Sequence, residues 1–132
     1  MSMSLAWYGR THTSVERLDV NSGSPGVARN ILRRAASAYR IPATKVDVAA
    51  LLVSELVTIA VNHVSGDDSA TLAISLEEDS IRASVWSPGL WFEEATARRR
   101  EDGGWGLMLV DELAPAWGAR YVDSGVDVWV EV

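Results

Sequence analysis

The stretch from Val46 to Val64 is apolar almost all round, and the polar residues that interrupt it are Asp47, Ser54, Glu55, Thr58, Asn62 and His63. A carboxylate in such a setting can take a proton from a hydroxyl or orient a water, provided an electrophile is held beside it. Further on, Gly103-Gly104-Trp105-Gly106-Leu107 runs loop glycines straight into a helix start. Backbone N–H groups there can converge on an anion at the positive end of a helix dipole. Each feature alone has an ordinary explanation. A Glu in mid-helix is usually paired or at a rim, and glycines before a helix usually make a tight turn. His12 and His63 have no partners at metal-ligand spacing, and the chain has no cysteine. Disulfides, thiolate zinc sites and cysteine nucleophiles are thereby excluded, and no metal site is expected.

The elements that must position these residues follow from periodicity. Ser14 to Val20 alternates and reads as a strand, after residues 1–13, which form an arm with little pattern. Ser24 followed by Pro25 predicts a helix start, with the hydroxyl as cap and proline at the first helical position. That helix is expected to reach Tyr39, burying Val27, Ile31, Leu32 and Ala35 and leaving Arg29, Arg33 and Arg34 in water. Ile41-Pro42 breaks it. Thr44 with Asp47 predicts a capping box for the second helix. A helix apolar on nearly every side must be central, covered by other elements. Ala70–Leu76 and Ile81–Trp86 read as a hairpin, Leu107–Leu113 as a helix stopped by Pro115, and Trp117–Val122 with Val126–Val132 as a closing hairpin around Asp123-Ser124-Gly125. The order predicts a two-layer α/β sandwich: a mixed, mostly antiparallel sheet with helices on one face.

The 132 residues fit one domain, taken as 14–132, and 18 acids against 12 cations give a net charge of −6. A nucleic-acid partner is not expected, because a duplex binder needs a positive footprint. The run Arg98-Arg99-Arg100 is offset by Glu93, Glu94, Glu101 and Asp102. No apolar stretch approaches the roughly 20 residues that span a bilayer, and the first residues lack the features of a secretory signal. A cytoplasmic domain without membrane or nucleic-acid contact is the expectation.

Leu51-Leu52-Val53-Ser54-Glu55-Leu56-Val57 resembles the stretch leading into the N-box of the GHKL ATPase superfamily (gyrase, Hsp90, histidine kinases, MutL). The likeness is greatest to the small anti-sigma-factor serine kinases and their actinobacterial relatives. In that family a central helix supplies a Glu, an Asn four residues on, and a basic residue four further; the positions here hold Glu55, Ile59 and His63. The family's Asp-x-Gly-x-Gly segment corresponds to Val85-Trp86-Ser87-Pro88-Gly89-Leu90. Its later glycine box corresponds to Gly104-Trp105-Gly106-Leu107-Met108-Leu109-Val110-Asp111, and Trp117-Gly118 begins the matching final hairpin. The resemblance spans about Val15 to Val132 and implies the Bergerat fold.

What it implies for activity is divided. The family Asn gives Mg²⁺ an oxygen, and Ile59 has none to give. The family Asp accepts a hydrogen bond from the adenine amino group, and Val85 cannot. Asn62, seven residues beyond Glu55, is a poor substitute, because it lies about one turn, ~5 Å, too far along the helix. The resemblance makes Glu55 the catalytic residue of an active kinase. It makes Gly89, Gly104, Gly106, Leu107 and His63 a residual nucleotide pocket, with ATP and magnesium bound only if the degenerate pocket still accepts them, and otherwise no cofactor. Phe92 to Asp102 occupies the position of the ATP lid. Of the six tryptophans, Trp86, Trp91 and Trp105 fall in or beside the boxes, and one or more indoles are expected to fill the vacated adenine space, with exposed interface aromatics as the alternative. Trp117 and Trp129 read as core or hairpin residues.

Three functions follow, in this order. The first is a regulatory protein of the anti-sigma-factor type with an impaired ATP site, a pseudokinase acting by binding a sigma factor or an anti-sigma antagonist. The second is an active ATP-dependent serine/threonine protein kinase and anti-sigma factor. The third is a nucleotide or small-anion sensor using Gly104–Leu107. The resemblance also implies a homodimer.

Overall fold

The computed structural model describes residues 12–63, 69–77, 79–89 and 105–132; for residues 12, 63 and 105–108 it describes the backbone alone. Five strands and three helices run in the order β1 (His12–Asp19), α1 (Ser24–Ala36), α2 (Ala43–His63), β2 (Ser69–Leu76), β3 (Ile81–Pro88), α3 (Trp105–Leu113), β4 (Ala116–Val122) and β5 (Gly125–Glu131). The sheet order is β1-β2-β3-β5-β4, and each of these neighbouring pairs is antiparallel. The expected α/β sandwich is therefore present, with an antiparallel sheet. β1 begins at His12, so two residues assigned to the arm belong to the first strand; residues 1–11 lie outside the described residues.

Strand parity builds the core. Leu72 and Ile74 of β2, Ala83 and Val85 of β3, and Val128 and Val130 of β5 are opposite one another in register and all at most 1% exposed. Helices α1 and α2 pack together on that face, with α3 against α2. Enclosed in this way, α2 buries Leu52, Val53, Leu56 and Val57 on a broad arc, as its composition requires. Its internal hydroxyls are satisfied locally: Ser54 Oγ donates to the Leu51 carbonyl at 2.8 Å and Thr58 Oγ1 to the Ser54 carbonyl at 2.7 Å.

Two helix starts differ from expectation. Ser24 is the first helical residue of α1 rather than its cap; Gly23 is the cap position and makes no side-chain cap bond. The Ser24 hydroxyl turns back instead, accepting from the Asn21 N–H at 3.0 Å and donating to the Asp19 carbonyl, while Asn21 Oδ1 accepts from the Gly23 N–H at 2.8 Å. The side chain is thus committed to the β1–α1 turn. At α2, the Asp47 carboxylate pairs with Arg33 at 2.8 Å. Helix α1 also ends at Ala36, short of Tyr39, and it buries Ala28, Leu32 and Ala36 while Val27 is 49% exposed.

The face of the sheet away from the helices is polar and aromatic. Thr13 Oγ1 and Ser75 Oγ are 3.1 Å apart, Arg82 stacks over the Trp129 ring at 4.2 Å from its centroid, and Arg120 pairs with Asp127 at 3.7 Å. The β4–β5 hairpin closes on Asp123 and Ser124, both with positive φ (51° and 61°), the two-residue geometry that matches strand twist.

Candidate functional site

The residues singled out for chemistry fall on α2, on the end of β3 and on the start of α3. Glu55 sits half-buried on α2 and has neither a hydrogen-bond nor an ion-pair partner among the described residues. Asn62 is exposed on the same helix. Ile59, one turn from Glu55, is 8% exposed and part of the hydrophobic core. His63 is the last residue of α2.

On β3, Val85 is fully buried in that same core, opposite Leu72 on one side and Val128 on the other. Ser87, two residues on and so on the same face, is also fully buried. Sequence reasoning assigned Ser87 no role, although the parity of Ile81 to Pro88 places it beside Val85 on the helix-covered side. Gly89 follows with φ +90°, a left-handed conformation that favours glycine, and its N–H donates to the Ser124 carbonyl at 3.0 Å. The hairpin turn thus braces the end of β3.

Of the three tryptophans expected in or beside the boxes, Trp86 lies elsewhere, while Trp91 and the side chain of Trp105 lie outside the described residues. Because Trp86 alternates with Val85 and Ser87, its indole lies on the opposite face of the sheet, away from the helices. There its Nε1–H donates to the Val122 carbonyl at 2.7 Å, and its ring packs over Gly125, where a Cβ would come within 2.5 Å of ring carbons. It does not fill a space between sheet and helices. Trp117 meets its expectation: it packs against the core and donates to Asp111 Oδ1 at 3.1 Å. Trp129 lies under Arg82 on the open face.

Gly106 and Leu107 lie in the first turn of α3, which begins at Trp105. Gly103, Gly104, Leu90, Trp91 and the segment Phe92 to Asp102 lie outside the described residues. Among the described residues there is no group of three or more His, Asp or Glu that could hold a metal ion, and no helix long and apolar enough to cross a membrane.

A family model described as histidine kinase-like ATPase domain matches residues 23–131. The fold is similar to a crystal structure of the RsbU and RsbW domains of Rv1364c from Mycobacterium tuberculosis, with a TM-score of 0.70 and 20% sequence identity. That match covers 91% of this chain and 31% of the other, so the chain spans about a third of that protein's crystallised length. No curated protein matches.

Proposed function

Since the chain belongs to the histidine kinase-like ATPase family, we propose that it is a regulatory protein of the anti-sigma-factor type whose nucleotide site is impaired and which acts mainly by binding another protein. The observation that carries this reading is the burial of Ile59 and Val85 in one apolar core. They stand where the family has its Mg²⁺-binding Asn and its adenine-binding Asp. Magnesium requires oxygen ligands, and an isoleucine side chain supplies none. An adenine amino group facing Val85 would lose its acceptor, at a cost of ~1–3 kcal/mol. The side chains present at these two positions do not fit Mg·ATP.

The partner class this reading carries is a sigma factor or an anti-sigma antagonist. The RsbW domain named in the similar crystal structure supports that choice by fold alone. A cytoplasmic location, a homodimer and a domain spanning residues 14–132, extended by the start of β1, belong to the same reading. A second reading, an active ATP-dependent serine/threonine kinase, is favoured by one observation: Glu55 is half-buried and has no partner among the described residues, which suits a base for an acceptor hydroxyl.

Calorimetric titration with ATP and ADP, with and without Mg²⁺, decides between them. The impaired site predicts no saturable heat up to about 1 mM nucleotide, the level of ~4 kcal/mol of binding. Micromolar, Mg²⁺-dependent binding would overturn it and return the chain to the kinase class.

A further inference from the structure

Between Val20 and Val46 the chain carries Arg29, Arg33, Arg34, Arg40 and Lys45 and not one Asp or Glu. This stretch is +5 within a molecule of net −6, so the remaining residues sum to −11. It folds as α1, the connection after it and the start of α2. Lys45 is tied down, its Nζ donating to the Asp79 carbonyl, and Arg33 is held by Asp47 at 2.8 Å. Arg34 and Arg40 are exposed and have no side-chain partner among the described residues. Two arginines in the last turn of α1 are favoured by its dipole, which explains why they are tolerated there. It does not explain why Arg34, unlike Arg33, has no acid beside it among the described residues.

At the same elbow, where α1 ends and α2 begins, lies an open cavity of about 280 Å³. Its lining is apolar in Ala36, Ile41, Ala43 and Val46, and the Arg33–Asp47 pair lies at its polar side. Val46 is 13 residues before Ile59 on a single helix, so the cavity is about 20 Å from the position in question at the nucleotide site. A concave, partly apolar surface whose lining residues Arg33 and Ile41 are each followed or preceded in sequence by an exposed arginine, Arg34 and Arg40, matches a particular kind of ligand.

We propose that the elbow between α1 and α2 is a docking site for an acidic protein segment carrying one apolar anchor residue. The anchor enters the cavity over Ile41 and Val46, and flanking carboxylates pair with Arg34 and Arg40. A nucleic acid fits less well. The rest of the molecule repels a polyanion, and the cavity takes an aliphatic side chain rather than a phosphate. The inference rests on the protein-binding reading only in making the partner a protein. The nucleotide titration, which tests that reading, does not touch this surface, so the two can fail separately.

The test is an NMR titration of the ¹⁵N-labelled full chain with a short synthetic peptide of Glu and Asp around one central Leu. Amide shifts are expected to concentrate in residues 33–47 and to weaken with added salt. The twin peptide with Ala for Leu should bind at least about fivefold more weakly. The double variant Arg34→Glu, Arg40→Glu should lose about tenfold in affinity. Both positions are exposed, so the fold is kept, and circular dichroism checks it. Ala43→Phe, which fills the cavity mouth, should make the Leu and Ala peptides equivalent. Shifts centred elsewhere, equal binding of the two peptides by the unmodified chain, no saturable binding, or a single-stranded oligonucleotide binding as well as the Leu peptide would each overturn the proposal.

Discussion

Replacing Val85 by Asp restores the residue type the family uses against adenine, and its effect on stability reports what surrounds position 85. Val85 is fully buried between Leu72 and Val128. Removing the isopropyl group forfeits ~1.5–3 kcal/mol of burial. A carboxyl without a partner adds ~1–3 kcal/mol. Together the loss is about 2.5–6 kcal/mol, a large part of the 5–15 kcal/mol typical of a domain. For a chain of this size each kcal/mol lowers Tm by roughly 3–5 °C, so a drop of roughly 8–30 °C is expected at pH 7. Burial disfavours the charged form, so the introduced acid is held neutral in the folded state and its pKa lies above the unfolded value of about 3.9. Above that unfolded pKa the folded state binds the extra proton, and stability falls as pH rises. The deficit relative to the unmodified chain should therefore be smaller at pH 4.5 than at pH 7. Thermal unfolding followed by circular dichroism at the two pH values measures both. A variant whose Tm stays within a few degrees of the parent at pH 7 would mean that position 85 opens to solvent. Burial of Val85 would then no longer count against a working nucleotide site.

The remaining predictions concern the frame around the site. Gly125→Ala should cost about 3 kcal/mol or more, because the new Cβ would lie 2.5 Å from the Ser87 carbonyl oxygen and the Trp86 ring. Gly89→Ala should cost only ~1–2 kcal/mol, since nothing lies within 4 Å of its Cβ and only the φ of +90° resists. Denaturant midpoints in the reverse order would contradict this packing. Ser24→Ala strips the Asn21 N–H and the Asp19 carbonyl of their shared partner and should cost ~1–3 kcal/mol, with faster amide exchange at Asn21. Unchanged exchange there would show that the hydroxyl is dispensable.

Much of the fold was legible because it depends on periodicity. The all-round apolar character of Val46 to Val64 required a central helix, and the alternation of β2 and the short turn at Asp123-Ser124 announced antiparallel pairing. Local capping was less legible, because a serine before Pro25 can cap a helix or brace the turn behind it, and only the path from Asp19 decides. Asp47 was similarly ambiguous, and its partner Arg33 lies 14 residues away on another helix. At the candidate site, motif spacing identified Ile59 and Val85 as departures. The parity that sends Trp86 to the other face was also present in the sequence. The proximity of Trp86 to box residues, however, concealed that neighbours along a strand point to opposite sides.

The register of β1 has a consequence for biosynthesis. His12 pairs with Leu76 and Asp19 with Ser69, so the first strand waits for a partner 50 to 64 residues downstream. At about 5–20 residues per second, that wait on the ribosome lasts several seconds, while the α1–α2 hairpin is already complete. During it a nascent strand containing Val15 and Leu18 has both edges exposed. The Glu16, Arg17 and Asp19 charges interleaved with them discourage pairing with another nascent chain. Val15, 65% exposed in the finished sheet, gains little from folding. The strand is therefore held chiefly by its ladder with β2 and by Leu18, which makes it the element expected to form last.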